Sequence, residues 1–239
     1  MQIVYFILGI KRSGNHAILN WLYKMIPNYL HLNNLPLKLL NSFHYKKFLT
    51  ENINIDNYID KNWTHFSKLT NLIISLENQN IKKSSTLIKK FCNDLNIKSE
   101  IIMLVRSPNN NFASIWKIMN EDTELLKHHK QLWKEYAEEI INNIYLEKKI
   151  VINFDKWFMD QKYRLEITRH LNLNFDDENF DKIFKHGFSS FDGYKFKDCA
   201  TKMDVLNRID YYQNDINFLK LINEKEIIIL WDKIKFILN

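Results

Sequence analysis

The apolar run Ile3-Val4-Tyr5-Phe6-Ile7-Leu8 leads straight into Gly9-Ile10-Lys11-Arg12-Ser13-Gly14-Asn15-His16, and the residues beyond return to helical spacing. A buried strand that becomes a helix through a basic, glycine-bracketed loop fits few architectures. Glycine permits positive φ and close approach to a ligand, and the amides that open the next helix face an anion with a favourable dipole. The segment is read as an anion cradle, with Gly9, Ser13, Gly14, Asn15 and His16 around the ligand and Lys11 and Arg12 as its cations. Glycine is otherwise scarce. The chain has only four, and the second pair, Gly187 and Gly193, brackets another short loop.

The spacing of Gly9 and Gly14 is that of the nucleoside triphosphatase loop G-x-x-x-x-G-K-[ST], whose lysine reaches the β and γ phosphates and whose hydroxyl holds Mg²⁺. Here those two places hold Asn15 and His16. The loop keeps the cradle, loses the usual lysine and hydroxyl, and carries its charge earlier.

A second apolar run, Ile101 to Val105, ends in Arg106-Ser107-Pro108, and Ser114 follows eight residues after the arginine on the helix that leaves the strand. Open α/β sheets bind ligands at the carboxyl ends of their strands, so both runs deliver polar residues to one crevice. A guanidinium forks two donors onto a phosphate, and a hydroxyl adds a third.

Between these motifs the chain alternates strand and helix: a helix over 16–25, a second over 37–49, a strand at 72–76, a helix over 82–95, and helices over 112–119 and 123–146 after the strand at 101–105. Such alternation predicts an α/β fold, a parallel sheet with helices on both faces in three layers. Beyond residue 200 the pattern is helical, and Trp231, Ile234, Ile237 and Leu238 extend a 3.6-residue period to the end. Trp116, Trp133 and Trp157 fall at core positions. The chain has 239 residues, 46% of them hydrophobic, and no linker-like stretch, so a single domain over 1–239 is expected.

These motifs resemble those of the sulfotransferases that use 3′-phosphoadenosine 5′-phosphosulfate (PAPS). Arg12, Ser13 and Gly14 match that family's 5′-phosphosulfate loop, and Arg106, Pro108 and Ser114 match its 3′-phosphate segment at the family's spacing. The run Ile150 to Trp157 is similar to the strand and acidic turn that follow the family's central helices. The Arg-Lys-Gly segment of many members is absent, and Gly187 to Phe196 stands in its place; an S-S-F-D-G loop like this one occurs in a bacterial branch. The resemblance covers roughly residues 1 to 200 and implies a P-loop-NTPase-like sulfotransferase fold. It also implies PAPS as co-substrate with 3′-phosphoadenosine 5′-phosphate (PAP) as product, and Ser189, Ser190 and Gly193 beside the cofactor residues above, with Lys195 and Lys197 adding charge.

The reaction so implied is transfer of a sulfuryl group to a small-molecule or glycan hydroxyl. Arg12, helped by Lys11, would steady the leaving phosphate oxygen with the amides of Ser13, Gly14 and Asn15; an arginine cannot donate its proton at neutral pH, so its help is electrostatic. Glu77 directly follows the 72–76 strand, rises at the same edge and is the first candidate base, with His44 and His65 as rivals and His16 as a cofactor contact. No metal is called for, because the transferred group carries one negative charge. The alternatives are a small-molecule kinase, which should carry the lysine and hydroxyl that Asn15 and His16 replace, and a nucleotide-binding protein without turnover.

Net charge is +6 and the pI near 9.0, which raises a nucleic-acid reading. Many of the lysines come as adjacent pairs, such as Lys82-Lys83 and Lys148-Lys149, on segments of helical period, which marks solvated faces, and no nucleic-acid motif accompanies them. The first nine residues lack a basic leader and run into the loop, so they read as a core strand and a cytoplasmic protein is expected, with no membrane span. Cys92 and Cys199 indicate neither a disulfide framework nor a zinc site.

Overall fold

The computed structural model describes residues 3–40, 71–183, 189–193, 195–196 and 198–238. The elements are β1 (Ile3–Gly9), α1 (Asn15–Met25), β2 (Tyr29–Leu32), β3 (Asn71–Glu77), α2 (Ile81–Leu95), β4 (Lys98–Val105), α3 (Pro108–Ile118) and α4 (Thr123–Asn142). Then come β5 (Ile150–Asn153), α5 (Phe154–Met159), α6 (Gln161–His170), α7 (Ile216–Ile222) and α8 (Lys225–Ile237). The strands form one parallel sheet in the order β2-β3-β1-β4-β5.

β1 is central and buried on both faces, which is why its sequence is apolar without alternation. Val4, Phe6 and Leu8 pack with Phe91 of α2, Phe112 of α3, Trp133 of α4 and Phe218 of α7. Tyr5 and Ile7 pack on the other face with Ile18, Trp21 and Leu22 of α1, Trp157 of α5 and Ile167 of α6. Helices thus cover both faces of the sheet, giving the expected three layers, and Trp116, Trp133 and Trp157 are all buried. No helix among the described residues is long and apolar enough to cross a membrane.

The register sets the site. Gly9 pairs with Glu77 on one side and Leu104 on the other, so the loop after β1 emerges between the ends of β3 and β4. This is where strand order reverses, the crevice that open α/β sheets use for ligands.

Several local expectations differ from the structure. β2 was not expected: it is four residues long and carries His31, whose ring nitrogens are satisfied internally by Tyr23 Oη at 2.5 Å and Ser75 Oγ at 3.0 Å. The helix predicted over 37–49 begins as a 3-10 turn at Leu37–Leu40, and the rest lies outside the described residues. α4 stops at Asn142 instead of 146, because Asn143 turns left-handed (φ 52°) and Glu139 takes the amides of Tyr145 and Leu146, each at 3.0 Å. Residues 200–215 are not continuous helix but hold two 3-10 turns, Ala200–Lys202 and Arg208–Tyr212. The terminal segment is helical, as its period requires.

Candidate active site

The loop between β1 and α1 is fixed from behind. Arg12 and Gly14 both have positive φ, 66° and 86°. A Cβ on Gly14 would lie 2.0 Å from the Phe154 ring, so this position needs glycine for its φ and for its space. Asn78 Oδ1 accepts the Lys11 amide at 2.7 Å, while Asn111 Nδ2 donates to Lys11 O at 3.0 Å and Ser13 Oγ at 3.2 Å. Asn111 is itself oriented by His129 Nε2, 2.7 Å from its Oδ1. Burial, with His128 and Lys11 adding to it, pushes His129 down to about 3, so the ring stays neutral and serves as an Nε2–H donor.

α1 opens toward the crevice. Its N-cap, Gly14, supplies no side-chain cap, its first turn holds no acidic residue, and the first helical bond runs from Ile18 N to Gly14 O at 3.1 Å. The amides before Ile18 are therefore presented where an anion would bind. Ser13 N is different, since it closes the turn onto Ile10 O at 3.3 Å.

Three arginines from distant parts of the chain converge beside this edge. Arg12 Nε donates to Ser114 Oγ at 3.2 Å and Nη2 to Ser190 Oγ at 2.6 Å, and the two serine hydroxyls touch each other. Arg106 Nη1 donates to Arg12 O at 3.0 Å and Nη2 to Val205 O, while Nε stands 3.9 Å from Asp155 Oδ1. Burial lowers Arg106 to about 10, against the pull of Asp155 and with a further push from Arg12 and Arg208. Burial also lifts the Asp155 carboxyl, against Arg106 and the hydrogen bonds of Ser107. Arg208, only 2% exposed, donates from Nη2 to Ser189 Oγ at 3.0 Å and Asp192 Oδ2 at 2.8 Å. Its Nη1 is buried and finds no hydrogen-bond partner among the described residues.

Glu77 sits on the opposite flank. Its Oε1 accepts from Asn15 Nδ2 at 2.7 Å, its amide donates to Asn34 Oδ1 at 3.2 Å, and Gln79 Nε2 donates to its carbonyl at 3.1 Å.

A cavity of about 320 Å³ opens over these groups. Among the described residues, Lys11, Glu77 and every expected cofactor contact line it except Gly9, Ser13 and Gly193. Gly9 lies behind Asn15, Ser13 is fully buried on Asn111, and Gly193 closes its loop through paired backbone bonds with Ser189 at 3.0 and 3.1 Å. The remaining wall is mostly apolar, including Ile118, Trp157, Phe158, Phe180 and Val205, with Lys182 as a further cation. Lys195 does not line the cavity; its Nζ lies over the Phe196 ring. Gly187, Lys197, His44 and His65 lie outside the described residues.

Sequence reasoning missed Arg208, Asn111, Asn78 and His129. A usable signal existed for the first: of 34 basic residues only five are arginines, and Arg12, Arg106 and Arg208 all meet here.

No protein-family model matches the sequence, and no curated protein matches it either. Among solved structures, the sulfotransferase domain of the Synechococcus PCC 7002 olefin synthase superposes with a TM-score of 0.53 at 14% identity, covering 98% of this chain and 94% of that one. The sulfotransferase domain of the curacin biosynthetic pathway superposes with a TM-score of 0.52, also at 14% identity, covering 98% of each chain. The likeness is one of fold: this chain has the α/β architecture of those sulfotransferase domains.

Proposed function

We propose that this protein is a PAPS-dependent sulfotransferase acting on an acceptor hydroxyl, a carbohydrate among the candidates. The observation that carries the reading is the meeting of the two anion motifs, where Arg12 reaches Ser114 across 102 residues and Arg106 holds the Arg12 carbonyl.

The residues fit a bisphosphorylated adenosine. The α1 amides and Lys11 form one anion end; Arg106, Ser114, Ser190 and Arg208 form another, with a buried donor on Arg208 still to be satisfied. Arg12 spans the two ends. The apolar wall between Phe158, Phe180 and Val205 suits a flat heterocycle. When bound, PAPS supplies a sulfuryl group attached to a phosphate leaving group. Lys11 and Arg12 place positive charge near that phosphate, and Arg12 keeps its proton at neutral pH although burial lowers it, Glu77 opposing and Arg208 adding to the effect. Glu77, on the opposite flank of the loop, is the candidate base that takes the acceptor's proton.

The test is thermal stabilisation by PAP, AMP, and ATP with Mg²⁺ at matched ionic strength. PAP at a hundredfold over its Kd should add about 2.7 kcal/mol of stability, and PAPS should be converted to PAP. Equal stabilisation by PAP and AMP would remove the case for a 3′-phosphate site, and selective stabilisation by ATP with Mg²⁺ would favour the kinase reading.

A further inference from the structure

We infer that Asn15 is a positioning residue that ties the carboxylate of Glu77 to the phosphate loop, an inference that rests on the sulfotransferase reading. Asn15 stands in the loop among the residues that the sequence places around the ligand. Its chemistry here is different. A primary amide has two N–H donors, and both are spent within the protein, on Ile10 O at 2.9 Å and Glu77 Oε1 at 2.7 Å. What remains is the acceptor Oδ1, which is buried against Gly9, where an added Cβ would come within 2.1 Å of it. An acceptor oxygen repels an anion, and this one has no room to turn. The residue is only 8% exposed, and its side chain has no donor left for a phosphate.

Glu77 gains what the phosphate loses. Its backbone is set by pairing with Gly9 and by Asn34 and Gln79, but these contacts leave three side-chain torsions free. The bond from Asn15 fixes the carboxylate by Oε1, and no hydrogen bond to Oε2 forms among the described residues. The geometry therefore divides the carboxylate's work. Oε1 is anchored to the loop, and Oε2 receives the acceptor's proton: the acceptor O–H bond breaks, an Oε2–H bond forms, and the oxygen's electron pair forms the bond to sulfur as the sulfur-to-phosphate oxygen bond breaks. Gly9 belongs to the same arrangement, since any larger residue would displace Asn15 Oδ1 and with it the donor to Glu77.

A double-mutant cycle tests this. Asn15→Ala, Glu77→Gln and the double variant are compared for PAP affinity by calorimetry and for turnover of PAPS to PAP with solvent water as the acceptor hydroxyl. Loss of one hydrogen bond to a charged group predicts that Asn15→Ala lowers kcat roughly tenfold. PAP Kd should stay within about threefold, and in the Glu77→Gln background the same change should cost less than about twofold. If Asn15→Ala unfolds the chain, Asn15→Leu, which keeps roughly the volume and removes the donors without adding a charge, carries the same comparison. An equal loss of kcat in both backgrounds, or a fall in PAP affinity that matches the fall in kcat, overturns the inference, because Asn15 then serves the cradle alone. A protein that binds PAP but does not convert PAPS also overturns it while leaving the cofactor site standing. Failure to bind PAP brings down the underlying reading itself.

Discussion

Arg208 gives the sharpest test of where the 3′-phosphate sits. Its Nη2 is already committed to Ser189 and Asp192, so the donor left for a ligand is the buried Nη1, which has no hydrogen-bond partner among the described residues. A hydrogen bond between such a donor and a phosphate is worth about 1.5–3 kcal/mol, so Arg208→Met should weaken PAP roughly tenfold to a hundredfold. The variant also strands Asp192. Burial would lift that carboxyl, but the hydrogen bonds from Arg208 and Ser189 outweigh it and hold it below the usual carboxylate range. Arg208→Met with Asp192→Asn removes the stranded charge and separates loss of the ligand donor from local repulsion. Calorimetry with PAP and AMP at one fixed, low ionic strength is the assay, because exposed charges are screened as salt rises. The wild-type preference for PAP over AMP should collapse in both variants. If either keeps the full preference, Arg208 does not face the 3′-phosphate and the assignment of this end of the cavity is wrong.

Two further outcomes follow from the supports of the loop. His129 is neutral in the fold down to about 3, while in the unfolded chain it takes a proton near 6.5; the unfolded state thus binds the extra proton between those values, and stability falls as pH is lowered. Against His129→Gln, which keeps a donor for Asn111 but does not titrate, the wild type should lose about 1.4 kcal/mol per pH unit between roughly pH 6 and 4 in urea titrations, and parallel curves would contradict this. Gly14→Ala puts a methyl into the Phe154 ring at a positive φ, so overpacking and backbone strain together should cost about 2–4 kcal/mol and abolish PAP stabilisation; a variant as stable as the wild type would refute the packing argument.

The sheet was legible because β1, β3 and the second half of β4 are buried on both faces and so appear as short apolar runs, and β3 and β4 lead into Glu77 and Arg106 at the edge where the β1 loop emerges. β2 was not, because four residues carry no period and His31 disguises a buried position whose polarity is satisfied by Tyr23 and Ser75. In the site, Arg12, Arg106 and Ser114 were readable from local motifs. Arg208 was not, since it lies in a 3-10 turn whose neighbours mean nothing until the chain returns to the Ser189–Gly193 loop. Asn15 was legible as a cradle residue but not in its consequence: sequence shows an amide where the triphosphatase loop has lysine, and only geometry shows that both its donors point at protein.

Two equally buried arginines of this chain, Arg164 and Arg106, are paired differently, and the contrast argues for a ligand. Arg164 is a structural residue: its guanidinium meets Asp177 through Nε at 2.9 and 3.1 Å and Nη2 at 2.9 Å, a charge matched by one carboxylate in bidentate geometry. Arg106 is buried to the same degree, yet its terminal nitrogens go to backbone carbonyls and its carboxylate stands off at 3.9 Å. Arg12 and Arg208 add repulsion instead of relief. Folding that held Arg106 for structure alone would gain more from the Arg164 arrangement, because an imperfectly paired buried charge is costly. The arrangement becomes favourable when an anion enters the cavity, since one phosphate can accept from several of these donors at once and cancel the mutual repulsion that the empty pairing leaves. The stand-off between Arg106 and Asp155 is thus the feature that the proposed binding of a polyanionic nucleotide would use.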